Sequence, residues 1–193
     1  QRASGRPARA AAAERLSAGS ERATRLVEQL LTLARQEAST AVNDPVDLRA
    51  TAQLALADVA PAAQARSMDV GLLDSDAATV TGNAEALRML ARNLLDNAIK
   101  YSPPGGQVDL QVRREGDHAV LTVEDSGPGI APEHRERAMQ RFVRVTADGA
   151  PGSGLGLAIV HAIAQGHGAT VALDSSPRLG GLRVTVRFAA AKP

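Results

Sequence analysis

Three short stretches carry side chains whose types and spacing suit the binding of a phosphorylated ligand. In RNLLDNAIKYS (residues 92–102), Asn93 and Asn97 stand four positions apart, and Lys100 and Tyr101 follow one turn later. On a helix these side chains share a face. An amide oxygen is a hard ligand suited to Mg²⁺, and an ammonium neutralises phosphate charge. Alone, the run fits a solvated helix face equally well. Three apolar residues are expected on the other faces, packed against a sheet: Leu94, Leu95 and Ile99.

The second stretch, VEDSGPGI (residues 123–130), places a carboxylate at the exit of a strand. Asp125 precedes Gly127 and Gly129, and Pro128 fixes the bend between the two glycines. A carboxylate beside a flat, glycine-lined shelf can accept a hydrogen bond from an exocyclic amine such as that of adenine. In isolation this stretch predicts only a strand followed by a turn.

The third stretch, PGSGLGLAIV (residues 151–160), alternates glycines before a helix. Gly152, Gly154 and Gly156 precede a helix whose free N–H groups form an anion site. The spacing is G-x-G-x-G after a loop, which differs from the dinucleotide fingerprint, and no Walker motif is present. By itself this triplet is weak evidence.

The elements that position these stretches follow from hydrophobic periodicity. Helices are expected at residues 48–65, 83–100, 132–141 and 154–165, and strands at 68–73, 77–81, 107–114, 118–124, 170–174 and 182–188. The second helix is expected to be capped by Gly82 or Asn83. This mixture of helices and mostly antiparallel strands predicts an α+β layer with one sheet and helices on one face.

Residues 1–40 predict a separate amphipathic helix with a narrow apolar seam. The seam is formed by Leu16, Ala23, Leu26, Leu30 and Leu33. Such a helix either pairs with a helix from a second chain or a missing segment, or lies on the main domain. NDPVD at residues 43–47 ends it, because Asp44 precedes a proline, and a domain boundary is predicted there.

Composition excludes several functions. The 193 residues contain no cysteine, which rules out disulfides, thiolate metal sites and cysteine nucleophiles. Aromatic residues make up 2% of the chain and the net charge is +1, so nucleic acid is not an expected partner. No apolar run is long enough to span a bilayer. The chain as given is expected to be cytoplasmic.

The order of the three stretches is more specific than any one of them. Together they resemble the sensor histidine kinases of the gyrase, chaperone, histidine kinase and mismatch-repair ATPase superfamily. NLLDNAIKYS resembles the N box, EDSGPGI the first glycine box, RFVR the F box and GSGLGLAIV the second glycine box. This resemblance covers residues 43–193. RATRLVEQLLTLAR (22–35) is similar to the second helix of the family's dimerisation and phosphoacceptor domain.

The resemblance implies a two-layer α/β sandwich, the Bergerat ATP-binding fold. Its mixed sheet would be covered on one face by about three helices and preceded by one long helix. Residues 1–42 would be a remnant of the dimerisation domain, and residues 43–193 the catalytic ATP-binding domain.

The resemblance also implies roles for individual residues. Asn97 would ligate Mg²⁺, Asn93 would assist phosphate positioning, and Lys100 would contact phosphate. Tyr101 would pack near the nucleotide, and Asp125 would take the adenine amino group. The other residues expected at the ATP site are Gly127, Gly129, Ile130, Phe142, Gly152, Ser153, Gly154, Leu155, Gly156 and Leu157.

The implied activity is phosphoryl transfer from ATP to a histidine and on to a response regulator of the OmpR type. The intact protein would be a homodimeric receptor of the bacterial inner membrane. The phosphoacceptor motif is missing, so this chain is expected to bind ATP but not to phosphorylate itself. The four histidines are expected to be structural or solvated: His118, His134, His161 and His167. Two alternatives are a nucleotide-binding module without kinase activity and a gyrase- or chaperone-type ATPase, which would favour glutamate at position 93.

Three positions depart from the family pattern or stay open. Met139 stands where the F box usually begins with an aromatic or large apolar residue, and methionine can fill that space. Leu182 replaces a threonine found in many relatives, which puts a hydroxyl contact with ATP in doubt. Asp96 is expected either to hydrogen-bond around the metal or to face solvent.

Overall fold

The computed structural model describes residues 44–140, 143 and 154–191. Its helices are α1 (Leu48–Ala65), α2 (Ala84–Tyr101), α3 (Pro132–Ala138) and α4 (Gly156–Gly166). Its strands are β1 (Asp44–Asp47), β2 (Asp69–Leu72), β3 (Thr79–Gly82), β4 (Gln107–Glu115), β5 (His118–Asp125), β6 (Thr170–Ser175) and β7 (Leu182–Ala189). The predicted N-terminal helix, Phe142, Gly152 and Ser153 lie outside the described residues, and the domain boundary stays a prediction.

Five strands form one mixed sheet in the order β2-β4-β5-β7-β6. β2 and β4 run parallel, and the other neighbours are antiparallel. A separate antiparallel ribbon joins β1 to β3, and an isolated bridge from Val80 to Ala190 links β3 with the chain just after β7. The prediction of a mixed sheet is confirmed, and the ribbon is an addition to it.

One face of the five-stranded sheet forms the core. Side chains alternate along each strand, so every second residue points to the same face. Val112, Leu121 and Val186 lie side by side on that face and are completely buried. Burial of each stabilises the fold by about 1.5–3 kcal/mol. Helices α1, α2 and α4 pack over this face, as predicted. None of the helices in the described residues is long and apolar enough to cross a membrane.

The predicted helix bounds are close to those observed, and the caps explain where two of the helices begin. Helix α1 spans the predicted residues, and Asp47 caps it by accepting the Ala50 N–H at 3.0 Å. Asn83, one of two candidates, caps α2 by accepting the Ala86 N–H at 3.0 Å. Helix α3 ends three residues before the predicted position 141, and α4 begins two residues after the predicted position 154.

Strand β1 was missed, since NDPVD predicted only the end of a helix. Its pairing with β3 is nonlocal, and Val46 is buried opposite Val80. Pro45 lacks an N–H, but β1 lies at the edge of the ribbon, where a proline is tolerated. A four-residue strand containing a proline has almost no periodic signal of its own.

Candidate nucleotide-binding site

A cavity opens between α2, α4 and the neighbouring strands β5 and β7. Its space amounts to about 710 Å³, including solvent at the mouth. Six of its lining residues were predicted from the sequence: Asn97, Tyr101, Asp125, Gly129, Ile130 and Leu157. The others are mostly apolar and were not predicted as site residues: Leu94, Ala98, Val123, Pro128, Ala138, Val143, Leu182 and Val184.

Asp125 is the buried carboxylate of the cavity, with 6% of its surface exposed. Its Oδ1 accepts two backbone N–H groups, from Gly127 at 2.8 Å and from Leu182 at 3.1 Å. Burial raises the pKa of Asp125, and the two N–H groups partly oppose this shift. Within the described residues, the hydrogen bonds to this carboxylate go to Oδ1 and not to the second oxygen, Oδ2. The backbone thus holds one oxygen and leaves the other as an acceptor for a ligand.

Gly181 is a site residue that the sequence analysis missed. A Cβ atom placed on it would lie 2.3 Å from both the carbonyl oxygen and Oδ1 of Asp125. Its N–H donates to the Asp125 carbonyl at 3.1 Å. Gly129, with φ +70°, faces the Gly181 backbone from the shelf. The Gly-Gly pair before β7 was the available signal, because close backbone approach is a common reason for glycine.

On α2, Leu94, Asn97, Ala98 and Tyr101 form a stripe along the cavity. They are spaced i, i+3, i+4 and i+7, which is the spacing of one helix face. Placing Leu94 on a different face from the amides was therefore wrong. This periodicity would have identified the wall correctly.

Asn93 does not line the cavity. It is 9% exposed, and its Nδ2 donates to the Met89 carbonyl one turn earlier at 2.8 Å. Its predicted role near phosphate is untested. Asp96, whose role was left open, is half-exposed and lies 3.6 Å from Arg92 in an i,i+4 ion pair.

Lys100 lies next to the cavity rather than in its wall. Its Nζ donates to the Tyr101 hydroxyl at 2.9 Å and sits 4.3 Å from the centre of the Tyr101 ring. A cation over an aromatic face is attracted to the ring. Because Tyr101 lines the cavity, this contact holds the ammonium at its edge.

Asn97 meets the first turn of α4. A Cβ atom on Gly156 would lie 2.7 Å from Nδ2 and 2.8 Å from Oδ1 of Asn97. Only glycine allows this approach without moving the amide. Leu155 caps α4 without a side-chain hydrogen bond, and the first N–H groups of a helix have no partner within the helix. The first and third sequence stretches therefore come together here, where partial positive charge favours an anion.

His167 joins the opposite ends of the same two helices. Its Nδ1 lies 2.7 Å from the Ile163 carbonyl, and its Nε2 accepts the Asn83 N–H at 3.1 Å. Since Nε2 accepts, the proton of this neutral ring is on Nδ1. A Cβ on Gly82 would lie 2.3 Å from the ring, so glycine is needed there. His167 therefore has a structural contact, as expected.

One known protein family matches the part of the chain that contains this cavity. The family described as "Histidine kinase-, DNA gyrase B-, and HSP90-like ATPase" matches residues 82–192, which contain α2, the Asp125 shelf and α4. This match covers more than half of the chain. The chain belongs to this ATPase family. Membership implies ATP binding, and the resemblance stated from the sequence is confirmed.

The similar proteins within this ATPase family are sensor histidine kinases. Sensor protein QseC of Salmonella typhi is 42% identical over 176 residues, which cover 90% of this chain and 38% of that protein. The mycobacterial sensor histidine kinase MprB matches in structure with a TM-score of 0.69 and 32% identity, covering 79% of this chain and all of that one. ShkA, solved in complex with AMPPNP, matches with a TM-score of 0.73 and 28% identity, covering 88% of this chain and 36% of ShkA.

The chain spans about two-fifths of the length of these curated relatives. The solved domain of MprB is matched over its full length by part of this chain. What this chain shares with QseC and with the solved domain of MprB therefore includes its ATPase-family region.

Proposed function

We propose that this chain is the catalytic part of a sensor histidine kinase, which binds Mg-ATP and transfers the γ-phosphoryl group to a histidine of a phosphoacceptor domain. A response regulator, of the OmpR type by the sequence resemblance, would then receive the phosphoryl group. The observation that carries the proposal is the cavity itself, whose lining includes the Asp125 carboxylate, held by backbone N–H groups, and the Asn97 amide beside the N-terminus of α4.

The base end of the cavity suits adenine. Oδ1 of Asp125 is occupied by backbone N–H groups, so Oδ2 offers a single acceptor to an exocyclic amine. Apolar side chains from both sides, including Leu94 and Leu182, provide surfaces for a flat ring. Leu182 brings no hydroxyl. Its contribution comes from its backbone N–H and its side-chain surface.

The phosphate end suits a magnesium nucleotide. Among the described residues no group of three acidic or histidine side chains is arranged to hold a metal ion. Mg²⁺ commonly relies on one or two protein oxygens together with phosphates and water, and the Asn97 amide fits that pattern. When bound, the ion would neutralise phosphate charge. The N–H groups of α4 and the Lys100 ammonium would orient the phosphates.

In the transfer, the bond between the γ-phosphorus and the β–γ bridging oxygen breaks and a bond to an imidazole nitrogen forms. ADP leaves with the electron pair of the broken bond. This chain contributes positioning and charge neutralisation rather than a covalent intermediate. Asn93 is an amide bonded to its own helix, so position 93 offers no carboxylate to activate water. This favours transfer to a partner over hydrolysis.

Two measurements on the intact 193-residue chain test the proposal. Calorimetry should detect binding of Mg-ATP, and chelation of the metal should weaken ATP binding while leaving adenosine binding unchanged. Mixing the chain with a separate histidine-bearing dimerisation domain and labelled ATP should then label the histidine. Asn97→Ala should abolish labelling, whereas Leu54→Gln, at an exposed position on α1, should not.

Absence of binding at millimolar Mg-ATP contradicts the whole proposal. Binding without labelling contradicts the kinase activity and supports a nucleotide-binding module.

A further inference from the structure

Arg135 on α3 makes three hydrogen bonds with one guanidinium group. Its Nε donates to the Ile130 carbonyl at 3.1 Å, and its Nη2 donates to the Ser175 hydroxyl at 2.8 Å. Its Nη1 lies 3.3 Å from Oδ1 of Asp174. The Arg135 side chain is only 20% exposed, although α3 has seven residues and is mostly exposed. Such a fork of donors fixes geometry in a way that a lysine cannot.

Through its hydrogen bonds, Arg135 is connected with two residues that line the nucleotide cavity. Ile130 ends the shelf that follows Asp125, and it lines the cavity. Ser175 pairs with Leu182 across the β6–β7 hairpin. Leu182 also lines the cavity and donates its N–H to Asp125. Arg135 thus links the shelf to β6, and through the pairing of Ser175 with Leu182 to the end of β7 that supports the carboxylate.

The shelf has few other bonds that would fix its position. Ala131 caps α3 without a side-chain hydrogen bond. Gly127 and Gly129 give this segment more backbone freedom than any other residue would. The Gly127 N–H is bonded to Asp125, but the only described side chain that bonds to the Ile130 carbonyl is Arg135.

The ion pair with Asp174 is the weaker part of this link. The side chain of Asp174 is 59% exposed, and exposed pairs contribute little to stability because water screens them. The bonds to the Ile130 carbonyl and the Ser175 hydroxyl are directional. They set distance and orientation more than they add stability.

We propose that Arg135 is a positioning residue for the nucleotide base, which fixes the separation of Ile130 and Leu182 so that a ring fits between them in reach of Asp125. This proposal rests on the nucleotide site described above. It predicts that loss of the guanidinium weakens binding at the base end and leaves the phosphate end unaffected.

The test compares adenosine with Mg-ATP in calorimetry on the full chain. Arg135→Gln should weaken both ligands by the same factor, about fivefold to tenfold, because charged hydrogen bonds are lost at the base end alone. Arg135→Lys should recover only part of this loss, since an ammonium cannot reach all three partners in fixed directions. The matched control is Arg137→Gln on the same helix, at an exposed position. The affinity of this control variant for both ligands should stay within about twofold of that of the parent chain.

A readout without ligand separates positioning from general stability. Amide hydrogen exchange should become faster at residues 129–131 and at Leu182 in Arg135→Gln, and not in Arg137→Gln. If Arg135→Gln lowers the melting temperature but binds adenosine as the parent does, Arg135 is merely structural and the proposal is wrong. If the parent chain binds neither ligand, the nucleotide site itself is wrong and the proposal falls with it.

Discussion

The two ends that we propose for the cavity, one for the base at Asp125 and one for the phosphates at Asn97, are prepared to different degrees before a ligand arrives. At the base end, Asp125 is buried and two backbone N–H groups already hold one of its oxygens. At the proposed phosphate end, Lys100 already bonds to the Tyr101 hydroxyl, and the Asn97 amide lies against the first residue of α4. Ligand binding can add to the contacts of the first region but must exchange contacts in the second. Preorganised contacts cost less free energy at binding, so we expect affinity to depend mainly on the base end.

The substitution expected to change affinity at the base end most is Asp125→Asn. The amide keeps its oxygen for the Gly127 and Leu182 N–H groups but turns a donor towards the amine of the base. We expect affinity for ATP and adenosine to fall about 100-fold, because a buried charged acceptor is lost and a donor is left unpaired. The melting temperature without ligand should rise, because the folded state no longer buries a charge. Calorimetry and a thermal melt measure both effects.

Asn97→Leu is the matched control for that change, since it alters the other end of the same cavity. It should weaken Mg-ATP binding and leave adenosine binding unchanged. Equal loss of both ligands in Asn97→Leu would contradict the division of the cavity into two ends.

Replacing one glycine at each end by alanine compares the rigidity of the two ends. At Gly181 the added methyl meets the backbone of Asp125, which cannot move away, so Gly181→Ala should lower the free energy of unfolding by about 3 kcal/mol. At Gly156 the methyl meets the Asn97 amide, a side chain that can rotate. Gly156→Ala should therefore change stability by less than about 1 kcal/mol, since alanine also favours the helix.

Ligand binding separates these two variants further. Gly156→Ala should weaken the binding of Mg-ATP about tenfold, because the Asn97 amide is displaced, and should leave the binding of adenosine unaffected. Denaturant unfolding and calorimetry supply the two readouts. The expectation fails if Gly156→Ala proves the more destabilising of the two.

The sequence placed Asn97 and Tyr101 on one helix face but missed the support of Asp125 from the start of β7, and the reason is the range of the contacts. The stretch from Asn93 to Tyr101 lies on one helix, so local periodicity was enough to collect it. Gly181 and Leu182 reach Asp125 only through the pairing of β5 with β7, which no local pattern shows. The same limit hid β1, whose partner β3 lies more than thirty residues away. Elements with strong periodicity of their own, such as α1 and α2, were predicted almost to the residue.

Acid should weaken the base end selectively. The pKa of Asp125 is raised by burial, so its carboxylate takes up a proton at a higher pH than an unfolded aspartate, whose pKa is 3.8. Below that raised pKa, Oδ2 no longer accepts freely, and affinity for adenosine should fall as pH falls through it. Asp125→Asn should show no such dependence on pH.

In the absence of ligand, the stability that Asp125 contributes should change with pH in the opposite direction to the ligand affinity. The folded state binds the proton of Asp125 more tightly than the unfolded state does, so this carboxyl stabilises the fold at low pH, and that contribution is lost as pH rises through the raised pKa. The difference between the unfolding free energies of the parent and Asp125→Asn should therefore grow as pH increases. A constant difference across this range would contradict the assignment.

The smallest expected effect is at Tyr101→Phe. The ring and its apolar surface stay, and only the hydroxyl that receives the Lys100 ammonium is lost. Freed from this bond, Lys100 keeps its charge near the cavity, so Mg-ATP affinity should change by no more than about twofold. A tenfold loss in calorimetry would mean that the hydroxyl itself is part of the phosphate end.

The contact of His167 determines how the two helices of the site can move. It fastens the beginning of α2 to the end of α4, whereas Asn97 and Gly156 meet about 15–20 Å away along the same helices. Two helices joined at one end can rotate about that contact but cannot slide along each other. Widening between the amide and the glycine therefore takes the form of a small rotation about the histidine, and entry of a bulky triphosphate need not disturb the packing at the joint.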